Sequence, residues 1–153
     1  MKKILLALFI SLGALAAQAQ EIKWMTMDEA LAAQKKKAKP IFMDVYTDWC
    51  GPCKMLDKNT FHDAAVVKFI NDNYYAVKFN AEAQSDITYK GKKYTNPGFV
   101  PGKGGRNAVH EFATLLQIRA YPTMMVFDEK GNIKEPIVGY YQPQQLLEAL
   151  KAK

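Results

Sequence analysis

The sequence predicts an α/β fold with a mixed central sheet and helices on both faces. Two observations carry this. Helix and strand patterns follow in the order helix, strand, helix, strand, helix, strand, strand, helix, which builds a layered sheet with helical cover. The run 41–46 is apolar on both faces apart from Asp44, as a strand buried in the middle of a sheet must be.

The elements follow in order. Thr26 with Glu29 three residues on forms a capping box that opens a helix through about Lys37, and Trp24 just upstream is placed to pack that helix onto the body. Pro40 ends the helix and the strand 41–46 follows. Pro52 then sits where a helix's first turn tolerates proline, so a helix runs on to about Asp57. Residues 63–71, with Ala64, Val66, Val67, Phe69 and Ile70, read as a second helix of this stretch, and 74–80 as a strand. The stretch 82–106 is rich in Gly, Lys, Pro and Tyr, shows neither period, and reads as an irregular insert. Asn107 is a candidate cap for a helix through about Gln117. Residues 123–127 read as a strand, 128–132 as a hairpin turn and 133–138 as the partner strand. Pro143 opens a last helix with Leu146, Leu147 and Leu150 on one face.

The N-terminus has the three-part layout of an export signal: basic Met1-Lys2-Lys3, an apolar run over 4–15, then Ala17-Gln18-Ala19. The run is short for a span of about 20 residues, so cleavage near Ala19 is expected, with no lasting membrane insertion. What remains, 20–153, suits one domain with one core. Of the 21 basic residues, Lys2 and Lys3 leave with the signal, so 19 face 15 acidic residues, a net charge of +4. The surplus is scattered, with clusters at Lys35–Lys37 and Lys90–Lys93, and no basic face interleaves with aromatics. Nucleic acid is therefore not an expected partner.

Both cysteines, Cys50 and Cys53, fall in one Cys-X-X-Cys. A disulfide staples a fold by closing a long loop, and this one closes almost nothing. The pair therefore reads as redox-active. A strand feeding Cys50-Gly51-Pro52-Cys53 into a helix puts the first sulfur at the helix N-terminus, where free backbone N–H groups favour a thiolate. Cys50 is then the attacking group, partly exposed, and Cys53 one turn on resolves the mixed disulfide.

The segment Asp44-Val45-Tyr46-Thr47-Asp48-Trp49-Cys50-Gly51-Pro52-Cys53-Lys54 resembles the active-site segment of the thioredoxin superfamily. Tyr121-Pro122-Thr123 resembles the loop in which that family holds a cis-proline beside the cysteines, and Val138-Gly139 before the last helix also matches. Trp24, Glu29-Ala30-Leu31, Lys39-Pro40 and Thr60-Phe61 resemble an exported bacterial subgroup. That subgroup includes the thioredoxin-like C-terminal domain of the membrane-spanning periplasmic disulfide reductase. The resemblance implies a thioredoxin fold, protein disulfides or thiols as substrates, and no cofactor. It implies that Asp44 is a buried acid moving the proton of Cys53, with Lys78 as its partner and Asn80 following. It also implies that Trp49, Gly51, Pro52, Tyr121, Pro122 and Thr123 form the docking surface around the sulfurs. Three departures stand out: Lys58 replaces a usual proline, Tyr121 replaces an aliphatic residue, and the insert 82–106 is additional. The insert is expected to border the cysteines and to help select the partner.

Other motifs fail on inspection. Gly98 to Lys103 lacks the spacing and the hydroxyl residue of a phosphate loop. Lys54 stands where covalent haem attachment needs a histidine. A zinc site would require His62 and His110 to join the cysteines, and no metal is expected. Met43, Met55, Met124 and Met125 read as core. The fold leaves the direction of electron flow open. Gly51-Pro52 offers no histidine to stabilise the Cys50 thiolate, which favours a reductase, and an exported reductase requires a membrane-bound electron donor. An oxidase or isomerase, or a chaperone or metal carrier without turnover, are the alternatives.

Overall fold

The computed structural model describes residues 20–153. The expected export signal lies outside them. Trp24–Met25 forms a two-residue strand, β1, ahead of the first helix, α1 (Met27–Lys36). The Thr26–Glu29 capping box is present, with the Thr26 Oγ1 accepting from Glu29 N–H and the Glu29 carboxylate accepting from Thr26 N–H. Strand β2 (Ile41–Tyr46) leads to helix α2 (Gly51–Met55), which widens into a π-helical turn over Leu56–Thr60. Helix α3 (Ala64–Asn73), capped by Asp63, and strand β3 (Tyr75–Asn80) follow.

The insert is more ordered than its composition suggests. It contains a hairpin, β4 (Ile87–Tyr89) and β5 (Lys92–Tyr94), turning at Lys90 and Gly91, both with positive φ. Ile87 and Tyr89 point inward into the core, and the Tyr89 hydroxyl donates to Gly131 O at 2.8 Å. Thr88 N–H donates to Asp28 on α1. The hairpin is thus fastened to the body by burial and by three tertiary hydrogen bonds, the third from Lys90 Nζ to Asn132 Oδ1.

The next helix, α4 (Glu111–Leu115), starts three residues later than expected, because His110 caps it and Asn107 does not. The Asn107 side chain instead closes the loop 100–107, accepting from Val100 N–H and donating to Val100 O. Strand β6 (Thr123–Phe127) pairs with β7, which is only Ile137–Val138. Pro136 has no N–H to offer a ladder, so the expected strand over 133–138 survives upstream only as a bridge between Ile133 and Phe127. Helix α5 (Pro143–Lys151) closes the fold with Leu146, Leu147 and Leu150 buried.

The sheet order is β1-β3-β2-β6-β7, with β1, β3 and β2 parallel and β6 and β7 antiparallel. Strand alternation divides the core in two. Phe42, Leu56, Phe61, Val66, Ile70 and Leu146 pack on the face covered by α2, α3 and α5. Ile41, Met43, Val45, Phe79 and Phe112 pack on the face covered by α1, α4 and the hairpin. Each fully buried side chain of this size contributes roughly 1.5–3 kcal/mol. Of the four methionines read as core, Met43, Met124 and Met125 are buried, whereas Met55 lies on the outer side of α2 and is 53% exposed.

Candidate functional site: a cysteine pair above a buried acid

Period-two alternation puts Asp44 on the same face of β2 as Phe42, toward α2. The parallel register sets it opposite Lys78 on β3. Asp44 is 1% exposed, and its Oδ2 lies 3.3 Å from Lys78 Nζ. Its Oδ1 has no hydrogen-bond partner. Burial raises the Asp44 carboxyl from 3.8 to about 6, and Lys78 opposes the rise. Lys78 also pairs closely with Asp57 of the π-helical turn, so one ammonium serves two carboxylates. The rings of Trp24, Tyr46 and Phe61 surround the ammonium at 4.9–5.4 Å from their centroids.

A cavity of about 220 Å³ joins this acid to the second cysteine. Asp44, Thr47, Cys53, Asp57 and Lys78 all line it, and the Thr47 hydroxyl is the second buried polar group there without a partner.

Cys50 is the N-cap of α2, and its Sγ accepts from Cys53 N–H at 3.2 Å. The Cys50–Cys53 disulfide is formed, with a Cα–Cα distance of 5.3 Å. Gly51 and Pro52 are exposed in the first turn, and nothing stands within 4 Å of where a Gly51 Cβ would be. Cys50 is only 3% exposed, less than expected of an attacking group at a corner. In the disulfide its sulfur is turned onto Cys53 and the Cys53 N–H.

Tyr121–Pro122 is cis. Pro122 is buried, and its carbonyl accepts from Gly139 N–H at 2.9 Å, so Val138-Gly139 anchors the proline loop. The Thr123 hydroxyl donates to Ala120 O inside the same loop. The Tyr121 ring meets Trp49 edge-on, centroids 5.8 Å apart, which ties the proline loop to the residue before Cys50.

Three residues at this site escaped the sequence reading. Asp57 lies four residues after Cys53, hence on the same helical face, and that spacing was an available signal. Glu82 accepts from Trp49 Nε1 at 3.0 and 3.1 Å and from Asn107 N–H at 2.8 Å. Arg106 stacks over the Trp49 ring at 4.2 Å. The last two sit at the ends of the insert, and no local pattern marks them. The histidines do not approach the cysteines: His62 bonds to Asp57 O, and His110 is buried with its ring nitrogens on Phe112 N and Ser85 O. No group of three or more His, Cys, Asp or Glu side chains that could hold a metal ion occurs among the described residues.

A dithiol–disulfide pair at a strand-to-helix junction, a cis-proline loop beside it and an acid beneath it define a disulfide-exchange site. The chain belongs to the thioredoxin-like domain family, which matches residues 27–153. Among curated relatives, the thiol:disulfide interchange protein DsbD of Vibrio vulnificus is 28% identical over 129 residues, 82% of this chain. This chain spans only 18% of that protein's length. A solved putative disulphide-isomerase from Bacteroides thetaiotaomicron is 27% identical with a TM-score of 0.61, covering 88% of this chain and 94% of that one. A thioredoxin from Thermus thermophilus shares the fold at 13% identity and a TM-score of 0.63, covering 86% of each chain.

Proposed function

We propose that the protein is an exported thiol–disulfide oxidoreductase that reduces disulfides of other proteins. The observation that carries this is the Cys50–Cys53 pair capping α2, with Asp44 and Cys53 on one cavity. In the reduced protein the Cys50 thiolate attacks a partner disulfide, forming a Cys50–partner bond and releasing one partner thiolate. The Cys53 thiolate then attacks Cys50 Sγ, forming the internal disulfide and releasing the second partner thiolate. Two electrons pass to the partner. Asp44, near neutrality by virtue of burial, takes the Cys53 proton across the cavity, and Lys78 holds that carboxylate in place. Trp49, Gly51, Pro52 and Tyr121 form the surface that receives the partner, whereas Pro122 and Thr123, expected on that surface, are buried and shape the loop beneath it.

The reducing direction rests on Gly51-Pro52, since the donor to Cys50 Sγ is the Cys53 amide and no side chain between the cysteines adds another. The DsbD relatives are named as thiol:disulfide interchange proteins, which supports protein thiols and disulfides as substrates here. Residues 1–19 support export to the periplasm, with 20–153 acting as one domain. No helix among the described residues is long and apolar enough to cross a membrane. Reducing equivalents then come from a membrane-bound donor.

The test is a trapping experiment. Cys53→Ala is expected to accumulate a mixed disulfide with protein substrates through Cys50, and Cys50→Ser to lose both trapping and insulin reduction. Tight client or copper binding that survives Cys53→Ala, with no insulin reduction by the wild type, would favour a binding protein instead.

A further inference from the structure

Trp49, the residue immediately before Cys50, is 36% exposed. The indole is held on three sides. Glu82 takes its N–H, Tyr121 meets its edge, and the Arg106 guanidinium covers its face. Arg106 is exposed and belongs to the insert. Its position is fixed by its neighbours. Gly105 turns the chain at φ +78°, Asn107 N–H is bound to Glu82, and the Asn107 side chain closes the loop onto Val100. Both Glu82 oxygens are already taken by Trp49 and Asn107. Arg106 makes no ion pair among the described residues, whose four pairs belong to Lys68, Lys78 and Lys93.

A planar guanidinium laid on an aromatic ring keeps its N–H edge free and oriented, and that edge matches a carboxylate. We propose that Arg106 is a specificity-determining residue, which receives an Asp or Glu side chain flanking the target cysteine of the partner polypeptide. This rests on the disulfide-exchange reading and adds the partner's chemistry to it. The insert then contributes a charged reader beside the sulfurs, while the chemistry stays with Cys50 and Cys53.

The test uses the full chain, reduced with dithiothreitol and desalted. It compares single-turnover rates on three synthetic peptide disulfides that differ only in the residue beside the cysteine: Glu, Gln or Lys. The wild type is expected to reduce the Glu peptide about fivefold faster than the Gln peptide at low salt, the scale of an exposed ion pair of about 1 kcal/mol. The preference should shrink as salt is raised to about 0.5 M. Arg106→Gln should bring the ratio to about one, and Arg106→Glu should invert it in favour of the Lys peptide. Equal wild-type rates on all three peptides, or a Glu preference that persists in Arg106→Gln, would overturn the proposal while leaving disulfide exchange intact. Failure of the wild type to reduce any of the three would overturn both.

Discussion

Asp44 is a carboxyl group that folding makes harder to ionise. Its value rises from 3.8 to about 6 through burial, against the pull of Lys78. The folded state therefore holds the proton more tightly than the unfolded chain. The stability this group contributes is fully present below about pH 4 and is lost as pH rises through about 6. About two units correspond to roughly 3 kcal/mol. Asp44→Asn is accordingly expected to be more stable than wild type at pH 7.5, by up to roughly 3 kcal/mol, with the difference vanishing near pH 4. Urea unfolding at the two pH values measures it, and a constant or negative difference would contradict the assignment. The same variant should slow resolution of the mixed disulfide by on the order of 10²-fold, since its proton acceptor is gone. Lys78→Met removes the cation opposing the rise. The wild-type resolution rate should climb with pH through about 6, and in Lys78→Met that midpoint should move up by about one unit. The pairing of Asp44 with Lys78 was expected only from the resemblance to the thioredoxin superfamily, and the structure places the two 3.3 Å apart. Asp57 was marked only by its spacing of four from Cys53, and its pairing with Lys78 depends on the π-helical turn that carries it.

At the scale of elements, the insert separates what local sequence encodes from what it does not. The long strand 41–46 and the capped helix after Thr26 declare themselves through period and cap chemistry. Strands of two or three residues carry too little pattern. β1 has no period to read, and Ile87-Thr88-Tyr89 alternates for a single step before Lys90-Gly91 turns it. Only tertiary burial shows that Tyr89 is core, packed against Phe112 and Phe127 at 5.5 and 6.0 Å. Tyr89→Ala should therefore cost about 3–5 kcal/mol, as for a buried aromatic. It should also speed amide exchange through 82–107 while leaving β2 protected. A cost below about 1 kcal/mol, with unchanged exchange, would show that the hairpin is a surface appendage. His110 illustrates the competition between caps: Asn107 has cap chemistry too, but its side chain is spent on Val100, and the helix begins where His110 accepts from Phe112 N–H.

Across the whole molecule, the sheet order brings the ends of β2 and β3, the proline loop before β6 and the base of the insert to one end of the sheet. Cys53 and the buried acid share a cavity there, and Arg106 covers Trp49, the residue before Cys50. The placement of Cys50-Gly51-Pro52-Cys53 at a strand-to-helix junction was readable from sequence. The enclosure of Trp49 by Glu82, Arg106 and Tyr121 required the fold. We propose that this end of the sheet donates electrons to partner disulfides. The most direct measurement is the reduction potential of the Cys50–Cys53 pair in the protein lacking residues 1–19, equilibrated against dithiothreitol or glutathione buffers and trapped by acid and alkylation. A value near or below roughly −240 mV is the predicted result. A value above roughly −180 mV would contradict it and make the protein an oxidant or isomerase of disulfides.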